Sequence, residues 1–356
     1  MKTNYKLLYL SLSGLLMFSS CSNEDLDKMN EGEMSEEFTI MASQGDFNVP
    51  ESKSRTEVDR WYPGNQDGTK KGVQMLWSTG DKIGVYGEGN QNLNNEFTYN
   101  ASATNIALFK GKLEWTLGRP YKIYTAYYPF YQGADETAIK ATIPGKQTYE
   151  SIHSIAQYDY KAFYSDGIVT DKGAEGYRTF QTTFVQLATL IRFVINDTDI
   201  KTWLTENGKE LVDTDKLESI TFTSTNNAIT GDFTYNLKER SRNLVLPSSV
   251  TEANKKLTLT VTSTTQETLK NGSTFYVAYA VVAPIATDNL NLSFKYGNYT
   301  VKLKEIQNVA LERGKVYNIG LNAKSLISAT VEEPAKPVTP SGQTDGNEFQ
   351  SGGDAI

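Results

Sequence analysis

The sequence predicts an all-β fold made of two stacked β-sandwiches, and three observations support this prediction. Short stretches rich in Val, Ile, Thr, Tyr and Phe recur along the chain, and β-branched and aromatic residues favour strands. Turn residues separate these stretches at intervals of roughly 8–12 residues, which is typical of sandwich folds. No amphipathic pattern indicates a helix longer than about three turns. The chain has 356 residues, a length that favours two domains over one.

The first 20 residues have the pattern of a secretory signal peptide. Lys2 and Lys6 lead into the apolar run Leu7–Phe18, which is shorter than the roughly 20 apolar residues that span a bilayer. The sequence Phe18-Ser19-Ser20-Cys21 resembles a bacterial lipobox, in which the peptide is cut before the cysteine and the thiol carries lipid. Cys21 is the only cysteine, so we predict lipidation there. The alternative is an ordinary signal peptide followed by a free cysteine.

Changes in composition divide the rest of the chain. An acidic, polar stretch follows Cys21, glycines interrupt the pattern near Gly176, and prolines and glycines dominate the C-terminus. We therefore predict five segments: a lipoprotein signal peptide (1–20), an acidic tether (21–36), an N-terminal β-sandwich domain (37–176), a C-terminal β-sandwich domain (177–331) and a flexible Pro/Gly-rich tail (332–356).

Period-two alternation and β-forming composition locate the strands. The longest apolar stretch of the mature chain, 183–195, is interpreted as a strand with a bend at Ala188. Gly297-Asn298 predicts a tight hairpin turn. Segment 142–177 is interpreted as rich in loops. The predicted strands are 38–42, 82–86, 97–99, 107–111, 112–115, 121–128, 156–158, 161–164, 183–195, 217–223, 229–235, 256–262, 275–283, 290–296, 299–303 and 316–321.

The sequence lacks the common catalytic motifs, and we predict that the protein is not an enzyme. A single histidine, His153, rules out a His-Glu-x-x-His zinc site. No Gly-x-Ser-x-Gly elbow, Ser-x-x-Lys or phosphate loop occurs, which argues against the usual serine hydrolases and nucleotide enzymes. Glycosidases need only two carboxylates, so that class stays open. His153 lies in a polar loop and is predicted to be a surface residue.

No metal ion or cofactor is predicted. The carboxylate pairs Asp197/Asp199 and Asp213/Asp215 could bind calcium, but neither has the spacing of an ion-binding loop, and solvated turns are the favoured interpretation. The formal net charge is −7, and no basic stripe is present. Nucleic acid is therefore not expected as a partner.

A binding function remains open beside a structural one. The aromatic residues Trp61, Tyr127 and Tyr131 are expected to be exposed and could stack on sugars, so a surface lipoprotein that binds glycans through loop aromatics is one alternative. Most aromatics, however, occupy strand positions and are expected in the core.

Several separated segments together resemble one family, the fimbrillins, which are lipoprotein-derived subunits of type V pili on Gram-negative outer membranes. Each motif is weak alone, whereas their order and spacing together are more specific. The segments that carry the resemblance are the lipobox at Cys21, Arg55-Thr56, Trp77–Tyr86, Tyr124–Pro129, Phe184–Leu190 and Leu311–Ile319.

The resemblance implies two tandem transthyretin-like (Greek-key) β-sandwich domains and a non-catalytic structural role in a fimbria that supports adhesion. It implies export to the cell outer membrane as a surface lipoprotein, followed by cleavage by an arginine-directed protease at Arg55, with Arg60 as the second choice. The expected partners are other fimbrial subunits, the outer membrane through the lipid, and host or bacterial surface ligands.

Assembly in this family proceeds by strand exchange. Carried over to this chain, the displaced strand contains Phe38 and Ile40. The donor strand of the family usually lies at the C-terminus, but the tail 332–356 is not strand-like. The best donor candidate is the short segment containing Leu326, Ile327, Ala329 and Val331. This departure leaves open a fimbrial tip or anchor subunit, since an anchor would keep its lipid and its first strand.

Overall fold

The computed structural model describes residues 33–44, 47–48, 72–73, 75–87, 93–116, 121–170, 179–239, 243–246, 249–262, 264–268 and 274–332. These residues form mostly β-strands with two short α-helices and one 3₁₀-helix, so the all-β prediction is confirmed. Cys21, Arg55, Arg60 and Trp61 lie outside the described residues, as do the signal peptide and the C-terminal tail beyond residue 332.

The strands of the first half are β1 (Glu33–Ser43), β2 (Phe47–Asn48), β3 (Gly72–Val73), β4 (Lys82–Gly87), β5 (Asn95–Thr98), β6 (Ile106–Thr116), β7 (Tyr121–Tyr128), β8 (Ile139–Ile143), β9 (Lys146–Tyr149), β10 (Lys161–Thr170), β11 (Thr179–Thr183) and β12 (Val185–Gln186). Those of the second half are β13 (Thr189–Ile195), β14 (Leu217–Ser224), β15 (Gly231–Tyr235), β16 (Lys256–Val261), β17 (Thr265–Thr268), β18 (Thr274–Val282), β19 (Ile285–Tyr296), β20 (Tyr299–Lys302), β21 (Ile306–Leu311), β22 (Val316–Leu321) and β23 (Thr330–Glu332). The helices are the 3₁₀-helix Ile152–Tyr158, α1 (Asp197–Glu206) and α2 (Ala323–Leu326).

The first sheet begins and ends with strands that are adjacent along the chain. Its eight strands follow the order β11-β1-β6-β5-β4-β7-β10-β12, and only Phe184 separates β11 from β12 along the chain. The two ends of the sheet are therefore continuous in sequence. All neighbours are antiparallel except β1 and β11, which are parallel. The sheet encloses a compact aromatic core that includes Trp77, Phe97 and Phe109, all fully buried.

The second half contributes to two large sheets and to a two-stranded sheet, β15-β8, around a larger core. The four-stranded sheet has the order β17-β18-β13-β22, and the seven-stranded sheet has the order β23-β20-β19-β14-β16-β9, with β21 paired to β19. Alternate residues of β14, β16 and β19 are buried, which is the pattern of strands with one face toward a core. The hairpin predicted at Gly297-Asn298 joins β19 to β20, and Gly297 has a φ of 55° that favours glycine.

Strands are shared across the domain boundary predicted near Gly176. β8 and β9 precede that position but pair with β15 and β16 of the second half. β11 and β12 follow it but pair with β1 and β10 of the first sheet. The sheets on the two sides of this predicted boundary are therefore built from interleaved segments of the chain.

Several element boundaries differ from the prediction. Residues 33–36, assigned from sequence to the tether, belong to β1 because they pair with 113–116 of β6. The segments 107–111 and 112–115 form one continuous strand, β6. Segment 142–177, interpreted as rich in loops, contributes to β8, β9 and β10. The stretch 183–195 does break at 187–188, between β12 and β13, as the predicted bend at Ala188 required.

A short helix that the sequence analysis did not identify follows β13. Asn196 caps α1 by accepting a hydrogen bond from the Asp199 backbone N–H at 3.2 Å, a favourable arrangement at a helix start. Ile200 and Leu204, four residues apart, are its buried residues. The helix has 10 residues, so the expectation of no helix much beyond three turns holds for the described residues.

Candidate functional site: the seat of the first strand

β1 is enclosed on both sides within the first sheet. It runs antiparallel to β6 through eleven aligned residue pairs, from Glu33↔Thr116 to Ser43↔Ile106. Over its last five residues, Thr39–Ser43, it also runs parallel to β11. If β1 were absent, β6 and β11 would become two facing edges with unpaired backbone groups. We call the space between these edges, with the core side chains beneath it, the β1 seat.

The inner face of β1 belongs to the core of the first sandwich. Phe38, Ile40 and Ala42 are buried, with at most 2% of their surface exposed. The ring of Phe38 lies 5.8 Å from the ring of Phe180 on β11. Met41, which points to the opposite face, is half-buried. The displaced-strand residues expected from the resemblance, Phe38 and Ile40, are therefore the two largest apolar side chains that β1 contributes to this core.

The C-terminal end of β1 is fixed by hydrogen bonds to three parts of the chain. The indole Nε1–H of Trp77 donates to the carbonyl oxygen of Ala42 at 3.0 Å. The backbone N–H of Phe184 donates to the carbonyl of Ser43 at 3.1 Å, and that of Gln44 donates to Asn105 at 2.9 Å. These bonds hold the strand where it leaves the sheet.

A buried lysine lies next to the same end of β1. The Lys161 ammonium on β10 donates a 2.6 Å hydrogen bond to the side-chain oxygen of Gln44 and forms an ion pair with Asp159. Its nitrogen lies 4.6 Å from the centre of the Trp77 ring and 5.4 Å from that of Tyr128, distances typical of cation–π contacts. The Lys161 side chain has no exposed surface. We call these five residues the Gln44 clasp.

Burial shapes the electrostatics of this clasp. Desolvation raises the pKa of the Asp159 carboxyl, and the opposing effects of the Lys161 charge and hydrogen bond do not cancel the rise. Burial also raises the pKa of the Tyr128 hydroxyl, and the nearby Asp81 carboxylate, which accepts its hydrogen bond at 2.9 Å, adds to that rise. The tyrosine therefore stays neutral, and the pairing of Lys161 with Asp159 is shown by their close contact.

The donor-strand candidate is not a continuous strand in this structure. Leu326 is buried at the end of α2, and Ile327 is 80% exposed. Val331 lies in the three-residue strand β23, which pairs with β20 of the same chain. Ala329 lies between the helix and that strand. A donor role for this segment stays a prediction.

Of the three aromatic residues considered for glycan stacking, Trp61 lies outside the described residues, and neither Tyr127 nor Tyr131 is fully exposed. Tyr127 is fully buried, so the expectation that it is exposed is wrong. Its hydroxyl donates to Asn94 at 3.1 Å and to the carbonyl of Tyr131 at 3.0 Å. The hydroxyl of Tyr131 accepts from the Lys140 backbone N–H. Tyr127 lies on β7 and Tyr131 in the loop that follows it, and the centres of their rings are 5.8 Å apart.

Three of the four carboxylates considered as calcium ligands, Asp197, Asp199 and Asp215, have structural partners. Asp197 accepts a hydrogen bond from the Tyr296 hydroxyl at 2.6 Å and pairs with Lys201. Asp199 accepts from the Ala323 backbone N–H, and Asp215 accepts from Val212. Among the described residues, no group of three or more His, Cys, Asp or Glu side chains could hold a metal ion. His153 is exposed, as predicted.

A shallow cavity of about 180 Å³ lies beside the start of α1. Asp197, Lys216, Thr262 and Tyr276 contribute to its lining. It contains a single carboxylate, already bonded as described, whereas a glycosidase site requires two facing each other.

Within the described ranges, no helix has both the length and the apolar character needed to cross a bilayer.

The sequence analysis missed the Gln44 clasp. One signal was present: in the run Lys161-Ala162-Phe163, alternation places Lys161 on the same face as the apolar Phe163. Similarly, Gln44 continues the inward-facing series Phe38, Ile40 and Ala42 by one further step of two. A charged and an amide residue at core-facing positions suggest that they are paired.

No protein-family model and no curated protein matches the chain, but solved structures resemble it. One is a candidate cell adhesion protein of Bacteroides ovatus, with 16% identity over 84% of this chain and 96% of that one and a TM-score of 0.49. A fimbrial protein of the same species has 11% identity over 82% of this chain and 49% of that one, with a TM-score of 0.37. The fimbrial anchor protein Mfa2 of Porphyromonas gingivalis has 9% identity over 72% of this chain and 77% of that one, with a TM-score of 0.29. These neighbours are fimbrial and adhesion proteins, the kind of protein that the fimbrillin resemblance names. At these identities and scores the likeness assigns no role to any residue of this chain.

Proposed function

We propose that the chain is a non-catalytic structural subunit of a cell-surface fimbria, exported as a lipoprotein through Cys21 and assembled by exchange of β1. Cleavage at Arg55 or Arg60 would separate β1 from the rest of the chain. A strand from a neighbouring subunit would then occupy the β1 seat. The observation that carries the proposal is that β1 lies between β6 and β11 and pairs with both of them.

The energetics favour refilling of an emptied seat. Without β1, the facing edges of β6 and β11 would expose backbone N–H and C=O groups, which readily pair with another strand. The apolar surface now covered by Phe38 and Ile40 would be exposed as well. Burial of one such side chain contributes about 1.5–3 kcal/mol. An incoming strand with apolar residues at alternate positions would recover both contributions.

Sequence position makes β1 separable by a single cut. Arg55 and Arg60 lie between β2 and β3, after β1 has ended and before the next strand of the first sheet begins. A cut at either arginine leaves every other strand of that sheet on one fragment. The strand that departs would carry the lipid on Cys21 with it, so the remaining subunit would no longer be anchored by that lipid.

The chain offers a donor with the required spacing. Ile327, Ala329 and Val331 repeat the alternate-residue spacing of Phe38, Ile40 and Ala42. Donation by this segment would require β23 to leave β20 and the chain to extend. Because head-to-tail donation does not close on itself, it builds a filament.

A tip or anchor subunit is the second candidate, and the conformation of residues 323–332 favours it. These residues form α2 and the short β23 instead of a free strand. An accessory subunit would not need to donate a strand, and an anchor would retain both β1 and its lipid.

Limited proteolysis tests the proposal. The chain from Cys21 onward is treated with an arginine-specific protease, and the products are sized under non-denaturing conditions and sequenced from the N-terminus. We expect products beginning at Thr56 or Trp61, together with a ladder of oligomers. The Arg55→Gln/Arg60→Gln variant is the matched control and should remain monomeric. Cleaved chains that stay monomeric would contradict assembly by exchange of β1.

A further inference from the structure

We propose that Lys161 determines which strands fit the β1 seat, by requiring a neutral hydrogen-bond acceptor, Gln or Asn, at the position that Gln44 occupies. This inference rests on the proposed exchange of β1 and specifies the partner chemistry. The seat would select a strand with three apolar residues at alternate positions, as at Phe38, Ile40 and Ala42, followed two residues later by an amide.

First, Lys161 is shielded from solvent when β1 is in place. Its side chain has no exposed surface, and the rings of Trp77 and Tyr128 lie within 5.4 Å of its nitrogen. An ammonium group has three donors and no acceptor. The Gln44 oxygen takes one of these donors at 2.6 Å, and Asp159 takes another.

The second step is that the acceptor belongs to the exchangeable segment. Gln44 directly follows β1, whereas Lys161, Asp159, Trp77 and Tyr128 lie on the body of the chain. If an incoming strand carried an apolar side chain at this position, the buried Lys161 ammonium would lose the hydrogen bond that it donates to the Gln44 oxygen. Such a loss is among the more costly changes in a protein interior.

The third step concerns charge. Lys161 and Asp159 form an ion pair whose charges cancel, and a neutral amide leaves that balance intact. A carboxylate at the Gln44 position would add a second negative charge beside Asp159, whose pKa burial already raises. The seat therefore favours Gln or Asn over Glu or Asp.

This preference bears on the choice of partner. If Ile327, Ala329 and Val331 took the places of Phe38, Ile40 and Ala42, the residue at the Gln44 position would be Glu333. The chain's own C-terminal segment therefore has the apolar spacing but not the neutral acceptor. The partner best suited to the seat is a strand of a different subunit that carries an amide at this position.

Peptide competition tests the inference. The full chain, cleaved at Arg55 or Arg60, is incubated with equimolar pairs of isotope-labelled peptides spanning residues 33–46, and the captured ratio is read by native mass spectrometry. We expect the Gln44→Leu peptide to be captured about 10- to 100-fold less than the unchanged peptide. The Gln44→Glu peptide should be captured at least about 10-fold less at pH 7.5. The Met41→Leu peptide, changed on the outer face, is the matched control and should compete equally.

A variant of the cleaved chain tests whether Lys161 causes the preference for an amide. In Lys161→Met/Asp159→Asn, both charges are removed together, so no buried charge is left unpaired. The preference for Gln44 over Leu should fall to within about threefold. A preference that persists in this variant would overturn the role of Lys161. If the variant does not fold, the peptide ratios on the unchanged chain still decide.

The outcomes separate the two proposals. If no peptide is captured, β1 is not exchangeable, and the proposed function fails together with this inference. If all peptides are captured equally, the exchange of β1 stands and selection by Lys161 is refuted.

Discussion

Replacing Ile40 with alanine should destabilise the first sandwich through the inner face of β1. Ile40 is fully buried and lies in register with Phe109 of β6 and Phe180 of β11, so the deleted carbons leave a cavity between two aromatic residues. Substitutions of Ile by Ala at such positions cost about 2–5 kcal/mol. Neighbouring rings on both sides limit collapse of the cavity, so we expect a loss of about 3 kcal/mol in the free energy of unfolding.

Urea unfolding read by tryptophan emission measures this loss, because Trp77 lies in the core of the first sandwich. Met41→Ala is the matched control, since Met41 is the next residue on the same strand and is only half-buried. Its cost should stay below about 1 kcal/mol. Equal effects of the two substitutions, or a cost for Ile40→Ala below about 1 kcal/mol, would refute the assignment of the inner face of β1 to the core.

Two other sites give independent tests. Gly84→Ala would bring a Cβ within 2.0 Å of the buried Tyr127 ring, and we expect a loss of about 1–3 kcal/mol in urea unfolding; an unchanged midpoint would show that the ring can move. At Asp288, burial alone would raise the pKa, but hydrogen bonds from the Ser224 hydroxyl and from 226, 227 and 289 outweigh it and lower the pKa. Because the pKa is lower in the folded state, the ionised carboxylate stabilises the fold at pH values above its unfolded pKa of about 3.9. This stabilisation is lost as the pH falls below that value. Thermal unfolding between about pH 5 and pH 2 should therefore show a larger loss of stability for the unchanged chain than for Asp288→Asn, and parallel curves would contradict the lowered pKa.

Strands with clear alternation were predictable from sequence. Segment 316–321 was predicted as a strand with the same limits as β22, and 217–223 differs from β14 by one residue. In β14 the buried residues alternate from Ile220 onward, because one face of the strand lies against the core. The residues Phe38 and Ile40 were placed on the correct strand for the same reason.

Other features depended on interactions that local patterns do not show. Gly111 suggested a break in β6, but it is required within the strand because a Cβ there would meet the Glu96 carbonyl at 2.5 Å and the Phe97 ring at 2.6 Å. The apolar spacing of 326–331 suggested a strand, whereas Asn322 caps a short helix instead by accepting hydrogen bonds from Lys324 and Ser325.

The Gln44 clasp could not be assembled from sequence because its members are distant along the chain. Gln44 and Lys161 are 117 residues apart, and they meet because β1 and β10 belong to the same sheet. Sequence alone indicated that each residue continues a core-facing series. It did not indicate which partner each one meets.

Carbodiimide cross-linking tests the central claim most directly, because it reports which strand lies beside β6. In the uncut chain, the Glu37 carboxylate lies 3.6 Å from the Lys110 ammonium, so the reagent should join them. After arginine-specific cleavage and assembly of a mixture of ¹⁴N- and ¹⁵N-labelled chains, the account predicts that the Glu37–Lys110 product disappears. Lys110 should instead be joined to a carboxylate of a neighbouring chain, giving mixed-isotope peptides. Persistence of the Glu37–Lys110 product in the assembled material would contradict the exchange of β1.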